Sequence, residues 1–188
     1  MGVLALRGLA PDARDRHGEG GPDFGTVHGR RPVSANNTGR EMANIVGREL
    51  DRLADEIRAL PDDEALWRRR GQQGNAPGTL ALHLVGNLSH YIGANLGRTG
   101  YVRDRPAEFE DRTASRQEIL DRIAVCRETV TPVLDRLTDE ELGEVYPGDT
   151  PVHMEGITSR GYLIHTIWHL GWHLGQMYYQ RLGEQPST

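Results

Sequence analysis

Three histidines recur at four-residue steps near the end of the chain: His165, His169 and His173. On a helix, residues four apart share a face, with Cβ atoms about 5–6 Å apart. Neutral imidazoles are the commonest protein ligands for transition metals, so such a face can supply part of a metal site. The surrounding stretch, residues 161–180, carries no charged residue. Wound at roughly 100° per residue it separates into three stripes. Leu163, Ile167, Leu170, Leu174 and Tyr178 form an aliphatic stripe, and Trp168, Trp172 and Tyr179 an aromatic one. Between them run Tyr162, His165, His169, His173, Gln176 and Gln180. A helix apolar on most of its circumference is expected to be buried, and buried polar side chains need partners.

Taken alone, His-x-x-x-His is a weak signal. The zincin protease motif places a glutamate directly after the first histidine as general base. Leu170 stands there, which excludes that chemistry. A second uncharged stretch, residues 79–97, strengthens the case because His83, Asn87 and His90 line one side of it, away from Leu84, Val85, Leu88, Ile92 and Leu96. Catalytic metal sites commonly use three protein ligands and keep one position open. By direction, either His83 or His90 can join a pair on the last helix, and His165 can replace His169 in that pair. The competing reading is a set of core histidines hydrogen-bonded to their neighbours.

These stripes need a scaffold, and the rest of the chain describes a helical one. Met42, Val46, Leu50, Leu53, Ile57 and Leu60 follow one another at steps of three and four, which predicts a helix over residues 39–60 closed by Pro61. Leu66 and Trp67 follow as candidate plugs for the end of a bundle. A second helix is expected over residues 77–96, with Pro77 in its first turn. A connection covers residues 97–112. A third helix starts at Ser115, with Glu118 completing a capping box, and carries Ile119, Ile123, Cys126, Val130, Val133 and Leu137 at steps of three and four. Thr138 to Glu141 caps a short turn, and Thr158 or Ser159 caps the last helix. The expected fold is all-α, a four-helix bundle over residues 39–183. Residues 1–38, rich in Gly, Arg, Asp and Pro without periodicity, read as a disordered extension.

Composition narrows the function. The chain has 188 residues and a formal net charge of −5, which argues against a nucleic-acid surface. All 22 basic residues are arginine, so neither a Schiff-base lysine nor a P-loop lysine exists. The single cysteine, Cys126, forms no intrachain disulfide and reads as a small buried hydrophobe. A cytoplasmic location is the expectation, and the two uncharged runs read as bundle helices rather than membrane spans.

Three segments together resemble the DinB/YfiT superfamily: Leu82-His-Leu-Val-Gly-Asn-Leu-Ser-His-Tyr-Ile-Gly-Ala94, Thr99-Gly-Tyr-Val-Arg-Asp-Arg105 and His169-Leu-Gly-Trp-His-Leu-Gly-Gln176. The resemblance implies a four-helix bundle holding a divalent metal, nickel or zinc, with His83, His169 and His173 as ligands and His90 and His165 in supporting positions. It implies a homodimer, and a metal-dependent enzyme acting on a small-molecule substrate, as a transferase or isomerase that uses a low-molecular-weight thiol. The alternative is a non-catalytic bundle whose histidines are structural or hold a stabilising metal. A bound divalent ion with three neutral ligands keeps its charge and lowers the pKa of a water or thiol. Arg103 and Arg105 are read first as a salt-bridged loop and second as an anion-binding pair.

Overall fold

The computed structural model describes residues 38–69 and 74–183. The extension read as residues 1–38 lies outside the described residues except for Thr38, which begins the first helix. Four long helical elements carry the fold: α1 (Thr38–Arg58), α2 (Pro77–Leu88) continued by a π-helical segment (Ser89–Ala94), α4 (Arg116–Arg136) and α6 (Ser159–Leu182). Two short helices, α3 (Arg105–Glu110) and α5 (Asp139–Gly143), sit in the connections. Among the described residues there is no β-strand, only a single antiparallel bridge between Val145 and Thr158.

The packing follows from the apolar steps. α1 packs on α4 and on α6, and α2 packs on the same two, so the four elements close a ring around one core. Val46, Leu50, Leu53 and Ile57 of α1 meet Leu84 and Leu88 of α2, Ile119 and Leu134 of α4 and Leu170 of α6 in that core, all fully buried. Burying one such side chain is worth roughly 1.5–3 kcal/mol, so the aliphatic stripes carry the stability. Leu66, in a 3₁₀ turn (Glu64–Leu66), is fully buried, and Trp67 packs against the core beside it. These two side chains close the bundle end.

Local chemistry sets the helix ends. Ser115 accepts from the Glu118 N–H while the Glu118 carboxylate accepts from the Ser115 N–H. Thr138 and Glu141 repeat the arrangement for α5. Thr158 caps α6 by accepting from the Gly161 N–H at 3.2 Å. Each such cap is worth about 1 kcal/mol. The expected continuous helix over residues 77–96 differs in one respect. After Leu88 the backbone switches to π bonding, with the Asn95 N–H on the His90 carbonyl at 3.0 Å and the Gly97 N–H on the Ile92 carbonyl at 2.9 Å. The widened turn leaves the Tyr91 carbonyl to accept the Tyr146 hydroxyl at 2.7 Å, tying the loop before α6 to α2.

Burial of the last helix is confined to one side. Leu163, Leu170 and Leu174 are buried, but Tyr178, Trp168, Trp172 and Tyr179 are exposed. Its two ring neighbours, α1 and α2, cover only its inner side, so an apolar circumference does not become a buried one. No helix among the described residues is long and apolar enough to cross a bilayer.

Candidate metal centre

α2 and α6 pack side by side, and the contact brings three of the five candidate histidines to one point. His83 comes from the middle of α2, where it is buried between Leu82 and Leu84. His169 and His173 come from successive turns of α6. His83 Nε2 lies 3.3 Å from His169 Nε2, and His173 Nε2 lies 3.1 Å from the same atom. The donor atoms of all three fall within 4.8 Å of one another, a grouping that can hold a metal ion. His165 remains one turn away, its ring centroid 6.4 Å from that of His169 and stacked near Trp168. His90 packs edge-on against Tyr91 and stays outside the group.

The outer nitrogens decide which atoms carry protons. His83 Nδ1 lies 3.0 Å from Glu108 Oε2. Burial pushes the Glu108 carboxyl up, but hydrogen bonds from Arg103 and His83 outweigh it and hold it below the ordinary carboxylate range. The carboxylate is an acceptor only, so His83 Nδ1 carries the proton and donates. The Arg103 guanidinium also approaches His83 Nδ1, at 3.4 Å, but both are donors there and the shorter carboxylate contact governs. His173 Nδ1 lies 2.8 Å from Gln176 Oε1 and donates to it. Both rings therefore turn an Nε2 lone pair toward His169 Nε2.

That arrangement cannot satisfy itself. His169 Nε2 can carry one proton and give it to one neighbour, and the other neighbour's lone pair then faces a nitrogen with no hydrogen left to offer. His169 Nδ1 is buried with no hydrogen-bond partner. Protonating the ring does not relieve the conflict: burial first, then His173 and His83, hold His169 down to about 3. Burial also lowers His173, against the raising effect of Gln176. A cation between the three nitrogens resolves both contacts. Two imidazole ligands about 2.0–2.1 Å from a tetrahedral zinc stand roughly 3.3–3.4 Å apart, close to the 3.1 and 3.3 Å separations here. The residues present fit a divalent ion.

Sequence reasoning missed the carboxylate that supports this site. Residues 97–112 read as a connection, yet α3 forms within them, capped by Asp104, whose side chain accepts from the Ala107 N–H at 3.1 Å. An aspartate followed two residues later by Pro106 was the available signal. α3 delivers Glu108 and Phe109 to His83, the latter with ring centroids 5.1 Å apart. Arg103 closes on Glu108 in a bidentate pair at 2.6 and 2.8 Å, the salt-bridged reading of that residue. Arg105 instead lies over the Phe109 ring. Glu108 also lines a cleft of about 680 Å³ between α2, α3 and α4, together with Gly86, Ser89, Tyr101 and Cys126.

The fold and site define an all-α bundle with a three-histidine centre between its second and last long helices. A family model described as the DinB superfamily matches residues 46–177, a span that contains all three histidines. The chain belongs to the DinB superfamily. No curated protein matches it.

Cys126, on the wall of the cleft, is buried, and burial pushes its thiol up to about 11 against the weaker opposing bond with Ser89. The native protein at pH 8 is expected to react with Ellman's reagent far more slowly than the unfolded chain. The folded thiol holds its proton where an unfolded one has lost it, so Cys126 erodes stability as pH rises from the ordinary thiol range toward about 11. Rapid labelling of the native protein contradicts this burial.

Proposed function

We propose that the protein is a divalent-metal-dependent enzyme in which His83, His169 and His173 hold the ion. The observation that carries this reading is the bonding of the outer nitrogens: His83 to Glu108 and His173 to Gln176 leave both Nε2 lone pairs converging on His169. Nickel or zinc suits an all-imidazole set. When bound, such an ion supplies a Lewis acid that lowers the pKa of a thiol or water. Three protein ligands leave a position open for substrate, as in catalytic rather than structural zinc sites. The reaction class we assign is group transfer or isomerisation with a low-molecular-weight thiol, supported by the resemblance in the three sequence segments. Within the chain, Glu108 and Gln176 orient the ligands, and Arg103 is engaged by Glu108 rather than offered to a substrate anion.

His83→Ala, His169→Ala and His173→Ala are each expected to abolish stoichiometric zinc or nickel. His90→Ala and His165→Ala keep most of it. Metal content by mass spectrometry, beside circular dichroism, checks this. Helicity should persist throughout, because the aliphatic stripes are untouched. Full occupancy in His83→Ala, or no metal in the reconstituted wild type, overturns the assignment.

We infer that the partner on the outer face of α6 is a second copy of this chain. Ile164, Trp168, Tyr178 and Leu182 are exposed there, and a side chain added at Gly171 or Gly175 would meet open space. Their steps along the helix are four, three, four, three and four, a coiled-coil seam. Read from either end, the order is the same: aliphatic, aromatic, glycine, glycine, aromatic, aliphatic. A two-fold axis between Gly171 and Gly175 sets Ile164 of one copy against Leu182 of the other and Trp168 against Tyr178, with the glycines letting the backbones approach. Self-complementarity of this kind is what a two-fold interface requires, and a contiguous run of exposed apolar side chains marks an interaction site. Light scattering is expected to give the mass of a dimer for the wild type and of a folded monomer for Gly171→Arg. A wild-type monomer at micromolar concentration removes the inference.

A further inference from the structure

We propose that Glu108 is the positioning residue of the metal centre, and that Gly86 and Arg103 seat it there. The metal half of this proposal rests on the His83, His169, His173 reading above. The half concerning His83 concerns the metal-free chain alone. A free histidine side chain favours the tautomer with its proton on Nε2, which would point a hydrogen into the centre. Glu108 reverses that preference. Its Oε2 lies 3.0 Å from His83 Nδ1 and can only accept, so the proton is held on the outer nitrogen and the lone pair faces inward.

A buried carboxylate with no counter-charge is costly. Glu108 is 6% exposed, and the Arg103 guanidinium neutralises it through two bonds.

Gly86 supplies the space. It lies three residues after His83 on α2, on the side where α3 brings in the carboxylate. A Cβ at that position would overlap Glu108 Oε1 and stand 2.7 Å from its Cδ. The carboxylate and a side chain at residue 86 cannot occupy one place. The cleft of about 680 Å³ on which Glu108 borders gives the displaced carboxylate somewhere to go, so Gly86→Ala moves Glu108 off His83 and leaves α2 intact. A glycine that looks like a helix weakness is thus the condition for an oriented ligand.

The test joins zinc affinity, by competition with a chromophoric chelator, to the tautomer of His83, by long-range proton–nitrogen NMR on the zinc-free protein. Glu108→Ala and Gly86→Ala are each expected to weaken zinc binding about 10–100-fold. The double variant should be no weaker than either single one, because both changes remove the same hydrogen bond. His83 is expected to carry its proton on Nδ1 in the wild type and on Nε2 in both variants. Glu108→Gln, whose amide oxygen still accepts, keeps the Nδ1 proton and recovers most of the affinity. Unchanged affinity in Glu108→Ala and Gly86→Ala, losses that add in the double variant, or an Nδ1 proton retained in either overturns the proposal. A wild type that binds no zinc overturns the three-histidine reading instead, and the tautomer measurement still decides the role of Glu108.

Discussion

Two imidazole nitrogens, of His83 and His173, each meet that of His169 at the junction of α2 and α6, and these two have no proton to offer. Their outer nitrogens are committed, one to a buried carboxylate and one to an amide oxygen. One proton on His169 Nε2 satisfies only one of the contacts at 3.1 and 3.3 Å, so the core of this bundle is arranged around a local conflict. The surrounding aliphatic packing over-determines the two helices and can hold such a conflict in place. A divalent cation converts it into three bonds. The fold is in this sense a frame for His83, and α3 is the element that keeps that frame in register.

The last helix has three distinct sides. Its inner side, Leu163, Leu170, Leu174 and Met177, closes the core. One edge presents His169 and His173 to α2. The outer side carries Trp168 and Trp172, both more than half exposed. The two histidines therefore lie where core and aromatic face meet.

Much of this was legible in the sequence for a simple reason: steps of three and four in α1, α4 and α6 report which side faces the core, and a bundle has few other ways to bury such stripes. The capping residues Ser115, Thr138 and Thr158 were legible because their side chains act on backbone only three residues away. The histidine trio was legible only in part. Direction around a helix narrowed the candidates, but His83 and His90 point the same way and lie seven residues apart. Only the axial register of α2 against α6 distinguishes them, and that register is set by long-range packing. The π turn was invisible, since a single widened turn leaves the apolar steps of Leu84, Leu88 and Ile92 undisturbed. Glu108 was hidden for another reason: one carboxylate among many in a charged connection becomes a partner of His83 only when Gly86, on a different element, leaves it room.

The claim at the centre of this account is that three histidine nitrogens share one ion. X-ray absorption spectroscopy of the zinc-reconstituted protein tests it most directly. The account predicts a four-coordinate edge with a nitrogen shell at about 2.0–2.1 Å and the outer-ring scattering pattern of three imidazoles. A shell of six oxygens, or a pattern with one imidazole or none, would contradict it.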